Sequence, residues 1–193
     1  MPINLSKGQK ISLEKDSGQK LSKVVMGLGW DQKKKSGWMS FLSSNEDIDL
    51  DASCIMFDES KHMIDSIWFR QLNSLDGSIK HSGDNRDGSG AGDDEQIFVN
   101  LSTVPANVKY LVFTISSFSG QTFASINNAF CRIVNQANGE EVARYNLSGG
   151  ANNTAQVMVK LYRHDGEWKM HAIGEGTNGT TFRDLLPVIQ SLL

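Results

Sequence analysis

A chain of 193 residues, 39% hydrophobic and 21% charged, has the size and balance of one globular domain with a core of its own. Three prolines and eighteen glycines exclude collagen and low-complexity architectures, and the apolar content excludes disorder of the whole chain. The net charge of −3 hides an asymmetry: 11 of the 22 acids fall within residues 45–59 and 82–95, while the other 164 residues carry 18 basic and 11 acidic groups.

Residues 1–10 are polar and lack the apolar stretch of a signal peptide. Ile11 and Leu13 alternate with polar neighbours, and Lys23 to Trp30 reads as a short apolar strand. Ile48 and Leu50 alternate with Asp47, Asp49 and Asp51, and Cys54 to Phe57 continues as an uninterrupted apolar run. Gln96–Leu101, Val108–Phe118 and Ala129–Asn135 are rich in strand formers, and Ala155, Val157, Val159 and Leu161 alternate with period 2. Asp76-Gly77, Asn138-Gly139 and Asp165-Gly166 fit type I′ hairpins, where both central residues take positive φ. Thr122–Ala129 has room for one or two helical turns. Thr180 or Thr181 is placed to cap a final helix bearing Leu185, Leu186, Ile189 and Leu192, with Pro187 in its early turns. Short strands, tight turns and a terminal helix predict a mainly β fold, a two-sheet sandwich with short helices, as a single domain over residues 1–193.

Two acidic segments carry the chemistry. On a strand, Asp47, Asp49 and Asp51 point to one face with successive spacings of about 7 Å. Like charges so placed repel, and Asp is a poor strand former. A solvated edge strand accounts for the pattern, and so does a hard cation that offsets the repulsion. The second segment, 82–95, brackets four glycines with Asp84, Asp87, Asp93, Asp94 and Glu95. Such a loop can turn its carbonyls inward, and calcium takes six to eight oxygens from carboxylates and carbonyls alike. It is not an EF-hand: Arg86 and Gly88 stand at the third and fifth positions, and Ser89 stands where Gly is required. A flexible acidic surface loop is the plain alternative.

Other chemistries find little support. Gly174-Glu175-Gly176-Thr177-Asn178-Gly179 has the spacing of a dinucleotide fingerprint, but only 14 residues follow it, too few for a βαβ unit. A tight turn into the last helix accounts for it better. His62, His81, His164 and His171 form no compact zinc-ligand pattern, and no G-x-S-x-G elbow is present. Cys54 and Cys131 have neither metal nor redox spacing and read as reduced, buried thiols of a cytoplasmic protein. No apolar run reaches the length of a membrane-spanning helix. No basic stripe with interleaved aromatics runs along the chain, so nucleic acid is not expected as a partner.

Several stretches together resemble the TerD family of bacterial tellurium-resistance and general stress proteins. They are Leu5-Ser6-Lys7-Gly8, Gly27-Leu28-Gly29-Trp30-Asp31, Asp49-Leu50-Asp51-Ala52-Ser53, Gly83-Asp84-Asn85 and Gly92-Asp93-Asp94-Glu95. Phe123–Phe130, Arg132-Ile133-Val134-Asn135, Glu140–Tyr145, Leu161-Tyr162-Arg163-His164 and Gly166-Glu167-Trp168-Lys169 continue the match in order along the chain. The resemblance implies a β-sandwich with two neighbouring Ca²⁺ sites. It also implies a cytoplasmic, non-enzymatic role in resistance to tellurite, phage and colicins, with other proteins of the system as partners, among them a TerC-like membrane protein. Carried over by position, the ligands are Asp31, Asp49 and Asp51, then Asp84, Asn85, Asp93, Asp94 and Glu95, with backbone carbonyls near Arg86 and Gly88; Asp47 falls in an outer shell.

Three loop positions depart from the family pattern: Asp87 replaces Thr, and Ser89 and Ala91 replace acids. Arg70 stands where the family often has Asn. The expectation is that calcium orders the loop and fixes a surface for partners. Two alternatives are a metal-dependent hydrolase of phosphate esters and a sandwich in which calcium is purely structural.

Overall fold

A computed structural model describes residues 2–13, 21–32, 49–84, 92–146 and 152–193. Its strands are β1 (Ile3–Asn4), β2 (Lys10–Ser12), β3 (Lys23–Gln32), β4 (Leu50–Phe57), β5 (Met63–Ile67), β6 (Ile79–His81), β7 (Glu95–Asn100), β8 (Tyr110–Ser117), β9 (Ile126–Asn135), β10 (Glu141–Asn146), β11 (Ala155–His164) and β12 (Glu167–Thr177), followed by helix α1 (Phe182–Leu192). They form two six-stranded sheets, ordered β1-β10-β9-β3-β7-β6 and β2-β12-β11-β8-β4-β5. The sandwich expected from the period-2 pattern is the fold, with its helix at the C-terminus.

The core lies between the sheets. Met26 and Leu28 of β3, Ile97 and Val99 of β7 and Ile133 of β9 meet Cys54 and Met56 of β4 and Leu111, Phe113 and Ile115 of β8. A second cluster lies on the outer face of the second sheet. There Ile55, Phe57, Val112, Val157 and Ile173 pack under Phe182, Leu185 and Ile189 of α1. This explains why Cys54–Phe57 is apolar without alternation: one set of side chains enters the sandwich and the other is covered by the helix. Each such Ile or Phe contributes about 1.5–3 kcal/mol on burial. Thr181, in extended conformation, is the N-cap just before the helix. Asp184 accepts the backbone N–H groups of Thr180 and Thr181 at 2.9 and 3.1 Å, so two donors at the helix entry are satisfied.

Three local expectations are corrected. Only Asp165-Gly166 is a two-residue turn with both φ positive, at 54° and 78°, because β11 and β12 pair right up to His164 and Glu167. At Asn138-Gly139 and Asp76-Gly77 only the glycine is left-handed, and each closes a longer loop. Thr122–Ala129 holds a single 3₁₀ turn, Phe123–Ser125. Ile126 already pairs with Gln32 of β3, and that pairing takes over from helix. Finally, Gly174 and Gly176 lie within β12 rather than in a turn into the helix. Gly174 has φ +62°, and a Cβ there would run into the Tyr145 hydroxyl.

Candidate metal centre

Strand β4 sets the site. All of Leu50–Phe57 pairs with β8, but β5 covers only Cys54–Phe57 on the other side. Among the described residues no strand pairs with the first half of β4 on that side, and buried backbone groups there need other partners. The first sheet supplies them with side chains. Glu95, at the start of β7, accepts the Ala52 N–H at 2.7 Å, and His81, at the end of β6, reaches the Ala52 carbonyl through Nε2 at 3.2 Å.

The tautomer of His81 follows from its other nitrogen. Gly83 N–H donates to Nδ1 at 3.0 Å, so the ring proton is on Nε2, which donates to Ala52 and lies 3.5 Å from Glu95 Oε2. The side chains of His81 and Glu95 are both fully buried. Ser82 and Gln96 then close the hairpin, with Ser82 N–H to Gln96 O at 2.8 Å and Gln96 N–H to Ser82 Oγ at 2.9 Å. Strands β6 and β7 thus flank the acidic Gly-rich segment, as expected.

This clamp brings the segment's first acid to the start of β4. One carboxylate oxygen from each of Asp49, Asp51 and Asp84 lies within 4.8 Å of the others. Asp51 is only 4% exposed, and its Oδ2 is buried without a hydrogen-bond partner among the described residues. Burial, then the charges of Glu95, Asp49 and Asp84, push the Asp51 carboxyl up to about 8. Burial beside two further acids disfavours ionisation of Asp51 unless a cation joins them. The donors are all oxygen, which suits a hard ion such as Ca²⁺ or Mg²⁺ rather than zinc. Asp51 Oδ2 is a buried acceptor that such an ion would satisfy.

The acidic run 93–95 points three ways. Asp93 faces Arg132 of β9, with Nε–Oδ1 at 2.7 Å and Nη2–Oδ2 at 3.2 Å, and Gln96 Nε2 also donates to Oδ2 at 3.1 Å. A carboxylate 1% exposed and gripped by both prongs of a guanidinium serves the sandwich. Asp94 accepts the Trp30 N–H at 2.8 Å while its own N–H donates to Leu28 O. Glu95 holds Ala52. Asp31 lies in β3 opposite Asn127, but its side chain lies outside the described part of the structure. Asn85, Arg86, Gly88 and Asp47 also lie outside the described residues. The sequence reading missed His81 and Arg132. His81 could have been flagged as an apolar-face position three residues before Asp84; nothing in the sequence pairs Arg132 with Asp93.

Both cysteines are buried thiols. Burial raises the Cys54 thiol well above its ordinary value and pushes Cys131 up to about 12, which keeps them unreactive. Among the described residues no helix is long and apolar enough to cross a membrane.

Comparison with known proteins matches residues 1–187 to the TerD domain. The chain is 48% identical over 184 residues to tellurium resistance protein TerZ of Serratia marcescens, covering 95% of this chain and 94% of that protein. It is 44% identical to general stress protein 16U of Bacillus subtilis, covering 93% of each. A crystal structure of a homologue of telluride resistance protein (TerD) from Streptomyces coelicolor A3(2) superposes with a TM-score of 0.66 at 19% identity, covering 82% of this chain and 92% of that one.

Proposed function

Because the chain belongs to the TerD family, we propose that it is a non-enzymatic Ca²⁺-binding protein of a bacterial tellurium-resistance and stress-response system. The observation that carries this reading is Asp51: a buried carboxyl with an unsatisfied oxygen, pressed against Asp49 and Asp84. Asp49, Asp51 and Asp84 would hold the ion, and oxygens of the segment that follows Asp84 would complete its shell. Coordination would tie Asp84, from the first sheet, to the start of β4 in the second. That tie fixes where the Gly-rich segment leaves the fold, and the segment so ordered would present a surface to partner proteins. The names of the relatives, a tellurium resistance protein and a general stress protein, support the physiological side of the proposal.

Calcium titration calorimetry tests it directly, with the parent protein and Asp51→Asn compared in chelator-treated buffer. Saturable binding by the parent that disappears in the variant is the expected result. Parent protein that takes up no heat at millimolar Ca²⁺ refutes the reading. Mg²⁺ should bind more weakly, since it favours a smaller octahedral shell and retains its waters.

A further inference from the structure

The outer face of the second sheet is apolar where α1 covers it. Beyond the helix, strand register lays two polar rows across the face. Lys10, His171 and Lys160 stand side by side on β2, β12 and β11, and Lys169, Tyr162 and Tyr110 stand side by side on β12, β11 and β8. Directly opposed residues share a face, so these six side chains form one surface.

Lys160 is the floor of that surface. It is buried, donates from Nζ to the Leu192 carbonyl at the end of α1, and lies 5.5 and 6.0 Å from the ring centroids of Tyr110 and Tyr162. Burial, and then the nearby charges of exposed Lys10 and Lys61, hold its ammonium below the usual range. His171 is held down by burial and then by Lys160 and Lys10. Lys169 Nζ is 3.2 Å from His164 Nδ1, and the Tyr162 and His164 rings meet edge to face at 6.4 Å. Of the carboxylates nearby, Glu167 shares this face, two residues before Lys169 on β12. Glu167 is near Ser12, Asp165 sits beside His164, and Glu59 faces Lys109. The face thus carries more lysines than carboxylates, with half-buried phenol rings set among them.

We propose that this face is a platform for single-stranded nucleic acid, with Lys10, Lys61 and Lys169 at the phosphates and Tyr110 and Tyr162 against the bases. Side chains standing up from a sheet, aromatic rings flanked by lysines, are the arrangement that takes unpaired bases. A flat face enters neither groove of a duplex. A membrane surface would call for protruding Trp, Phe or Leu, and here the aromatics are half-buried tyrosines. The chain order conceals the feature, because the lysines and tyrosines come from positions 10, 61, 110, 160, 162 and 169. The acidic trio sits on other elements, so this inference stands apart from the calcium reading.

The test is fluorescence anisotropy with a labelled oligo-dT of about 12 nucleotides, in EGTA so that calcium plays no part. Saturable binding is expected at low salt, weakening as salt rises. Lys10→Glu with Lys169→Glu should weaken it at least about tenfold and flatten the salt dependence by about 0.7 in log–log slope for each phosphate left without its lysine. Lys61→Glu, in a turn and unable to disturb the sheet, should weaken it in the same direction. Tyr162→Leu should weaken binding about fivefold with the salt slope unchanged. Absence of saturable binding by the folded parent overturns the proposal, as does equal binding by the double charge variant. Binding to phosphatidylserine vesicles without binding to the oligonucleotide overturns it in favour of a lipid surface.

Discussion

Glu95 of one sheet accepts the backbone N–H of Ala52 in the other, at 2.7 Å and with its side chain fully buried. The bond joins the two layers at the end where Asp49, Asp51 and Asp84 meet. It also supplies the partner that β5 does not provide to the first half of β4. The layer contact and the candidate ion site therefore depend on the same few residues.

Removing the acceptor should show this. Glu95→Ala leaves the buried Ala52 N–H without its acceptor, a loss of about 1–3 kcal/mol. Glu95→Gln keeps an acceptor of the same length and relieves repulsion on Asp51, so it should cost clearly less. Urea unfolding of both variants checks the order; Gln costing as much as Ala would contradict the staple.

Asp51→Asn should have opposite effects with and without calcium. Without the ion it removes a carboxyl that folding forces to take up a proton near neutral pH, and raises stability by on the order of 1 kcal/mol. With free Ca²⁺ at about 100 times Kd, the parent should gain about 2.7 kcal/mol by linkage and the variant almost nothing. Melting curves in EGTA and in Ca²⁺ give both numbers.

Gly27 lies opposite Arg132 in β9 and Gln96 in β7, and a Cβ there would strike the Asp93 carboxylate. Gly27→Ala should therefore cost about 1–3 kcal/mol, although alanine loses less backbone entropy than glycine on folding. Calcium stoichiometry should stay as in the parent, because both Asp93 oxygens are held by Arg132. Denaturation and calorimetry on the one variant check both halves. A lost calcium site would return Asp93 to the ligand set.

Glu141 links Arg144, at 2.7 Å through both prongs, and Arg132, at 3.1 Å. Hydrogen bonds from Arg144 and then Arg132 hold its carboxyl below its ordinary value of 4.5. A carboxyl lowered by folding stabilises above its unfolded value, and that contribution is lost as pH falls through the folded one. Melting temperature should thus fall more steeply below about pH 4.5 in the parent than in Glu141→Gln, with the two converging at low pH. Parallel curves would show that the pair contributes nothing.

How far the sequence reached can be judged at the acidic run. That strands flank the acidic, glycine-rich run, and that its spacing is not that of an EF-hand, was legible from residue types and spacing. Which acids converge was not. Asp93, Asp94 and Glu95 are adjacent and chemically alike, yet their partners lie 39, 64 and 43 residues away, at Arg132, Trp30 and Ala52. Spacing along the chain carries no information about partners that distant.

The sequence by itself determined the β character, the Asp165-Gly166 hairpin, the cap of α1 and the family, because each is written in local periodicity, turn chemistry or contiguous motifs. Only the tertiary structure decided that the buried Asp51 meets Asp49 and Asp84, and that His81 and Glu95 serve the first half of β4. It alone set Lys10, Lys160, Lys169 and His171 on one face with Tyr110 and Tyr162. The physical reason is the same in each case. Strand register sets which side chains share a face, and sheet stacking sets which backbone groups are left for side chains to satisfy.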